Sequence, residues 1–166
     1  MAGFVIYAVP VAGGIIGIAP LPGGGGGGTA YKDDLLHMKD WQPALVLSMT
    51  TQAEMVAGSV GNLGPDLQDL GTRWMHLPVP DFGVPEGAAA ADWPKASKAA
   101  LAALRGRGRV LIHCKGGCGR SGMAALRLMV EAGEAADAAL TRLRTVRPCA
   151  VETSAQMRWA GDIKTR

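Results

Sequence analysis

No lysine, arginine, aspartate or glutamate precedes Lys32. A secretory leader needs a basic start, and a spanning helix needs about 20 apolar residues free of helix breakers. The opening stretch FVIYAVPVAGGIIGIAPLP meets neither condition, because Pro10, Gly13, Gly14, Pro20 and Pro22 cut it into short pieces rich in Val and Ile. Those pieces read as two strands, near 4–9 and 15–19, turned at Ala12-Gly13-Gly14, and no membrane span is expected. Cysteine is scarce as well: there are three, an odd number, which argues against a disulfide framework and fits a reducing, cytoplasmic setting. Charge is in short supply, with a formal excess of only +3. That excess suits an anionic ligand but is too small to call for nucleic acid. The glycine run 23–28 is followed by no lysine in Walker spacing, so it reads as a flexible surface loop.

What is present reads as one globular domain over 1–166. Its 166 residues, 48% of them apolar, suffice for a core without staples. Past the glycine run the chain alternates. A helix over 32–40 would bury Leu35, Leu36 and Met38, with acidic residues in its first turn. PALVLSM is a buried strand, and TQAEMVAG a short helix closed by Gly58. One helical turn is expected at 66–70, a short strand in TRWMHLPVP, and a helix from an Asp92 cap through Leu104, closed by Gly106. RVLIH, 109–113, is a strand, and the apolar helix over 121–132 belongs in the core. The stretch 134–147 places Ala136, Ala139, Leu140 and Leu143 on one helical face, and TSAQMRWAGDIK, 153–164, is a last helix. Such alternation argues for α/β: a central, mostly parallel twisted sheet of about five strands with helices on both faces. No internal repeat is seen, and a monomer is expected.

The chemistry sits in HCKGGCGRSG, residues 113–122. A strand runs into the glycine-rich loop 114–120, and a helix follows. Backbone N–H groups of such a loop point inward over the positive end of the helix dipole, which makes an anion site of phosphate size. Gly116, Gly117 and Gly119 let the backbone curl, and Arg120 can offer a planar fork to two oxygens. Cys114 lies at the floor, where the same field favours its thiolate. A thiolate beneath an anion hole suits attack on a phosphoryl group.

This cradle resembles the Cys-x5-Arg-Ser/Thr signature of the protein tyrosine phosphatase superfamily, and the rest of the chain is similar to its compact dual-specificity branch of the cyclin-dependent kinase inhibitor 3 type. The resemblance implies a cysteine-dependent phosphatase with the dual-specificity phosphatase fold and no cofactor. In it Cys114 is the nucleophile, Arg120 and the loop residues Lys115, Gly116, Gly117, Cys118 and Gly119 bind the phosphoryl oxygens, and Ser121 bonds the departing thiolate. PVPDFGVP, residues 78–85, matches the branch's proline-flanked acid loop and makes Asp81 the general acid. RPCAVETSAQMRW resembles the later loop whose glutamine, here Gln156, positions the hydrolytic water. His113 is expected to order the loop and help keep the thiolate ionised. The implied partner is a phosphorylated protein, carrying phosphotyrosine and possibly phosphoserine or phosphothreonine, or another phosphomonoester.

Other readings stand beside these. Cys118 is either a small side chain at the pocket rim or a second thiol that traps oxidised Cys114 as a reversible disulfide. Cys149 stands where relatives often have glycine. Lys115 is either a solvated rim charge or, as in phosphoinositide-directed relatives, a substrate contact. His37 and His76 read as structural, and the arginines of LRGRGRV as an exposed turn. Zinc is disfavoured, because no second Cys or His pair follows Cys114 and Cys118 and Arg120 would repel it. The functional alternatives are a phospho-group binding module and a rhodanese-type sulfurtransferase.

Overall fold

The computed structural model describes residues 3–161. Five strands form one sheet: β1 Tyr7–Val11, β2 Gly14–Ala19, β3 Leu45–Ser48, β4 Trp74–His76 and β5 Arg109–His113, in the order β1-β2-β5-β3-β4. β1 and β2 are an antiparallel hairpin turned at Ala12-Gly13, and every other pairing is parallel. The first strand lies later than the sequence suggests, because pairing Tyr7 with Ile18 and Val11 with Gly14 fixes its span. Pro10 is tolerated there because β1 is an edge strand.

Seven helices among the described residues cover the two faces: α1 Gly28–Asp40, α2 Gln52–Ala57, α3 Leu63–Asp69, α4 Gly87–Arg105, α5 Gly119–Glu131, α6 Ala136–Val146 and α7 Ser154–Gly161. The alternation of strand side chains sorts them. Val110 and Ile112 of β5 join Leu45 and Leu47 of β3 against Ala96 and Leu104 of α4, Met123 and Leu126 of α5 and Leu143 of α6. Leu111 and Val46, one residue out of phase, point the other way onto Met38 of α1, Met55 of α2 and Leu63 and Leu67 of α3. Each such side chain stabilises the fold by roughly 1.5–3 kcal/mol when fully buried.

Four expectations need correction. α1 begins at Gly28, behind a Gly27 cap with φ +62°, so Asp33 and Asp34 fall outside its first turn. Leu36 is exposed, while Met38 carries the buried face. α3 is a seven-residue helix rather than one turn, since Pro65 sits in its first turn, where no N–H partner is needed. α4 starts at Gly87, well before Asp92, because Ala89 and Trp93 are both buried on the same face. The last helix was expected to reach Lys164, and 162–164 lie outside the described residues.

Candidate active site

β5 ends at His113, and Cys114, 2% exposed, is the first residue beyond it. Four carbonyls of the following loop face away from the cavity, each with a donor behind it. Leu21 N–H donates to Lys115 O at 3.0 Å, and Arg147 donates from Nη2 to Gly116 O and from Nε to Gly117 O, both at 2.9 Å. Val151 N–H reaches Cys118 O at 3.2 Å. In a trans peptide the next N–H points opposite to the carbonyl, so the amides of 116–119 face inward. α5 starts at Gly119 and adds the positive end of its dipole. Gly117 sits at φ +72°, and a Cβ there would stand 2.9 Å from the backbone of Ala19 and Pro20. Only glycine fits that turn.

Arg120 is 2% exposed and leaves the first turn of α5. Its Nη1 donates to Glu54 Oε1 at 2.6 Å and Val79 O at 2.8 Å; its Nη2 donates to Glu54 Oε2 at 2.8 Å and lies 3.3 Å from Asp81 Oδ1. The Arg120 hydrogen bonds hold the Glu54 carboxyl down to about 2. Burial disfavours the charge on Arg120, but the Glu54 hydrogen bonds and the field of Cys114, Glu54 and Asp81 outweigh it and move its pKa upward. Glu54 closes a capping box with Thr51, so α2's own N-terminus aims it. Sequence reasoning missed this residue. Its signal was the Thr-x-x-Glu of TQAEMVAG in the loop after β3, which pairs with β5 and delivers that loop to the same sheet end.

Cys114 Sγ lies 3.2 Å from Ser121 Oγ. Behind it runs a buried polar chain: Trp74 Nε1–H donates to Ser48 Oγ at 2.8 Å, Ser48 Oγ meets His113 Nε2 at 2.5 Å, and His113 Nδ1 meets Cys114 O at 3.2 Å. Complete burial is the first cause that pushes His113 down to about 4. The ring is therefore neutral near pH 7, with Nδ1–H donating to Cys114 O and Nε2 accepting from Ser48. It orders the loop through hydrogen bonds and adds no positive charge beside the sulfur.

Asp81 is exposed and stands over the cradle on the arm from β4 to α4. That arm is tied at both ends, by Arg120 to Val79 O and by Gln156 Nε2–H to Gly83 O at 3.1 Å. Gln156 is fully buried, and its Oε1 accepts from Glu152 N–H at 2.9 Å and Thr153 N–H at 3.3 Å. As folded, its amide fastens α7 to the arm that carries Asp81. Lys115 is exposed at the rim.

The odd cysteine count argues against a disulfide framework, yet one bridge is present. Cys118 and Cys149 are bonded, their Cα atoms 5.1 Å apart, and only Cys114 is free among the cysteines. An odd count excludes a full pairing, not one bridge; Arg147 and Val151 bring the two loops within disulfide reach. Cys118 is thus no waiting partner for Cys114. Among the described residues, no group of three or more His, Cys, Asp or Glu is placed to hold a metal ion, and no helix is long and apolar enough to cross a membrane.

A strand-cradle-helix at the end of the central parallel strand of a five-stranded sheet, with a cysteine floor and a buried arginine, defines the fold of the tyrosine and dual-specificity phosphatases. Among solved structures, kinase associated phosphatase with its catalytic-site cysteine replaced by serine is similar at 23% identity and a TM-score of 0.79, over 96% of this chain and 93% of that one. Tk-PTP in its active form is 25% identical with a TM-score of 0.71, over 92% of each chain. PTPMT1 in complex with PI(5)P shares the fold at 16% identity and a TM-score of 0.72, over 94% of this chain and 93% of that one. No curated protein sequence matches. The family model for cyclin-dependent kinase inhibitor 3 matches residues 15–139. The chain belongs to the cyclin-dependent kinase inhibitor 3 family, within the protein tyrosine phosphatase superfamily.

Proposed function

We propose that the protein is a phosphomonoester hydrolase working through a cysteinyl-phosphate, and that its substrates are phosphorylated proteins bearing phosphotyrosine, with phosphoserine and phosphothreonine tolerated. One observation carries the reading: the loop that begins at Cys114 has the carbonyls of 115–118 tied outward, its amides turned inward, and ends at Arg120, whose Nη2 lies 3.3 Å from Asp81 Oδ1.

In the first step the Cys114 thiolate forms an S–P bond as the P–O bond to the leaving group breaks, and protonated Asp81 gives that oxygen its proton. The loop amides and Arg120 hold the equatorial oxygens, where transition-state charge spreads. In the second step water attacks phosphorus, Asp81 takes its proton, and the S–P bond's electrons return to sulfur, which Ser121 Oγ–H stabilises. No cofactor takes part. Membership of the cyclin-dependent kinase inhibitor 3 family and the dual-specificity phosphatase fold support a site open to more than one phosphoamino acid.

Phosphate release from a phosphotyrosine peptide, a phosphothreonine peptide, a phosphoinositide and an aryl phosphate tests this. Wild type is expected to favour the peptides and the aryl phosphate, and Cys114→Ser to be silent on all four. A preference for the lipid would move the substrate class to phosphoinositides. Silence of folded wild type on every substrate would favour a binding module.

A further inference from the structure

The disulfide and Arg147 have no part in the two chemical steps, yet both grip the cradle from behind. Residues 116–119 are three glycines and Cys118, a run with almost no conformational preference of its own. Its shape comes from the segment after α6: Arg147 on the carbonyls of Gly116 and Gly117, Val151 N–H on that of Cys118, and the Cys118–Cys149 bond. Arg147 is itself braced, its guanidinium stacked 4.2 Å over the Tyr7 ring of β1. Its Nη2 also lies 3.6 Å from Cys118 Sγ. Neither cysteine of the pair is fully buried.

We propose that the Cys118–Cys149 pair is a thiol–disulfide exchange site through which a dithiol reductant weakens anion binding by the cradle. The proposal rests on reading 114–120 as that cradle. A thiolate of the reductant attacks Cys149 Sγ, forming a mixed disulfide; the Cys118–Cys149 bond breaks and its electron pair stays on Cys118 sulfur. The guanidinium of Arg147 stabilises that thiolate and so makes it the better leaving group. The reductant's second thiol then displaces Cys149, leaving two protein cysteines reduced and the dithiol oxidised to a disulfide, two electrons and two protons in balance. The new negative charge on Cys118 draws Arg147 Nη2 away from Gly116 O. The 116–117 peptide, freed of its anchor, can rotate and withdraw an inward N–H from the anion. A site that has lost preorganisation binds more weakly.

The test uses the full chain carrying Cys114→Ser, so that neither turnover nor oxidation of the nucleophile enters, with inorganic phosphate as the probe. Calorimetric affinity is measured before and after dithiothreitol, with thiols counted in the folded state. Reduction is expected to expose two thiols without unfolding and to weaken phosphate binding about fivefold to tenfold. Adding Cys149→Ser should reproduce the weak affinity and abolish the response to dithiothreitol. Equal affinity in both states would overturn the proposal and leave the phosphatase reading standing. So would a disulfide that resists dithiothreitol until the chain unfolds, or a chain that unfolds on reduction. No phosphate binding in either state would overturn the cradle reading and this proposal together.

Discussion

Glu54 and Arg120, 66 residues apart in sequence, meet in a two-pronged ion pair with contacts of 2.6 and 2.8 Å. The pair takes one N–H from each of Nη1 and Nη2, Val79 O takes the other from Nη1, and the second Nη2 N–H, on the side where Asp81 rests, is left for an incoming anion. Glu54 is therefore a positioning residue for Arg120, the arginine proposed to bind phosphate.

Glu54→Gln leaves a nearly buried guanidinium without its counter-charge. The folded state is expected to lose about 2 kcal/mol or more, and saturating inorganic phosphate to restore part of it by pairing with Arg120. Urea midpoints with and without phosphate check this. A variant as stable as wild type without phosphate would remove Glu54 from the account.

Two depressed pKa values set the acid limb of stability. His113 titrates near 4 folded against 6.5 unfolded, so its contribution is whole above pH 6.5 and lost as pH falls toward 4. That amounts to about 3 kcal/mol across the window. Glu54, near 2 folded against 4.5 unfolded, adds a second loss from pH 4.5 downward. Denaturant midpoints measured across this range should fall first in the His113 window, and His113→Asn should flatten that part of the curve. An unchanged slope in the variant would contradict the assignment.

Gly117→Ala asks a side chain to adopt φ +72° with its Cβ 2.9 Å from the backbone of Ala19 and Pro20. A cost of about 2 kcal/mol is expected, with a matching loss of phosphate affinity as the turn opens. Thermal midpoint and calorimetric phosphate binding read the two effects. A wild-type affinity would show that the turn does not shape the cradle.

Ser121→Ala removes the hydroxyl 3.2 Å from Cys114 Sγ. The leaving thiolate of the second step then lacks its donor, so kcat is expected to drop about tenfold with a burst of leaving group in the first turnover. Rapid-quench kinetics on an aryl phosphate distinguish this from a uniform slowing. Loss of the burst together with the turnover would place Ser121 in the first step.

The sequence showed the cradle because its parts are contiguous: strand, Cys114, glycines, Arg120 and helix follow one another within a dozen residues. That Asp81 belongs beside the cradle was legible through Pro80 and Pro85 around it, and the structure brings it to Arg120. Glu54 was hidden because its role at Arg120, beyond the capping box it closes with Thr51, depends on β3 lying beside β5. Cys149 and Arg147 were hidden because α6 must fold back along the sheet before they reach the loop they brace. The neutrality of His113 follows from complete burial, which no local pattern discloses. The early start of α4 has a similar cause, since burial of Ala89 decides it over the more obvious cap at Asp92.

The most direct measurement is the mass of the peptide containing Cys114 after a rapid quench during turnover of an aryl phosphate. Wild type, and more strongly Ser121→Ala, should carry one added phosphoryl group on Cys114, and Cys114→Ser should carry none and release no phosphate. Sustained phosphate release by Cys114→Ser, or by wild type without any phosphorylated cysteine, would contradict the account.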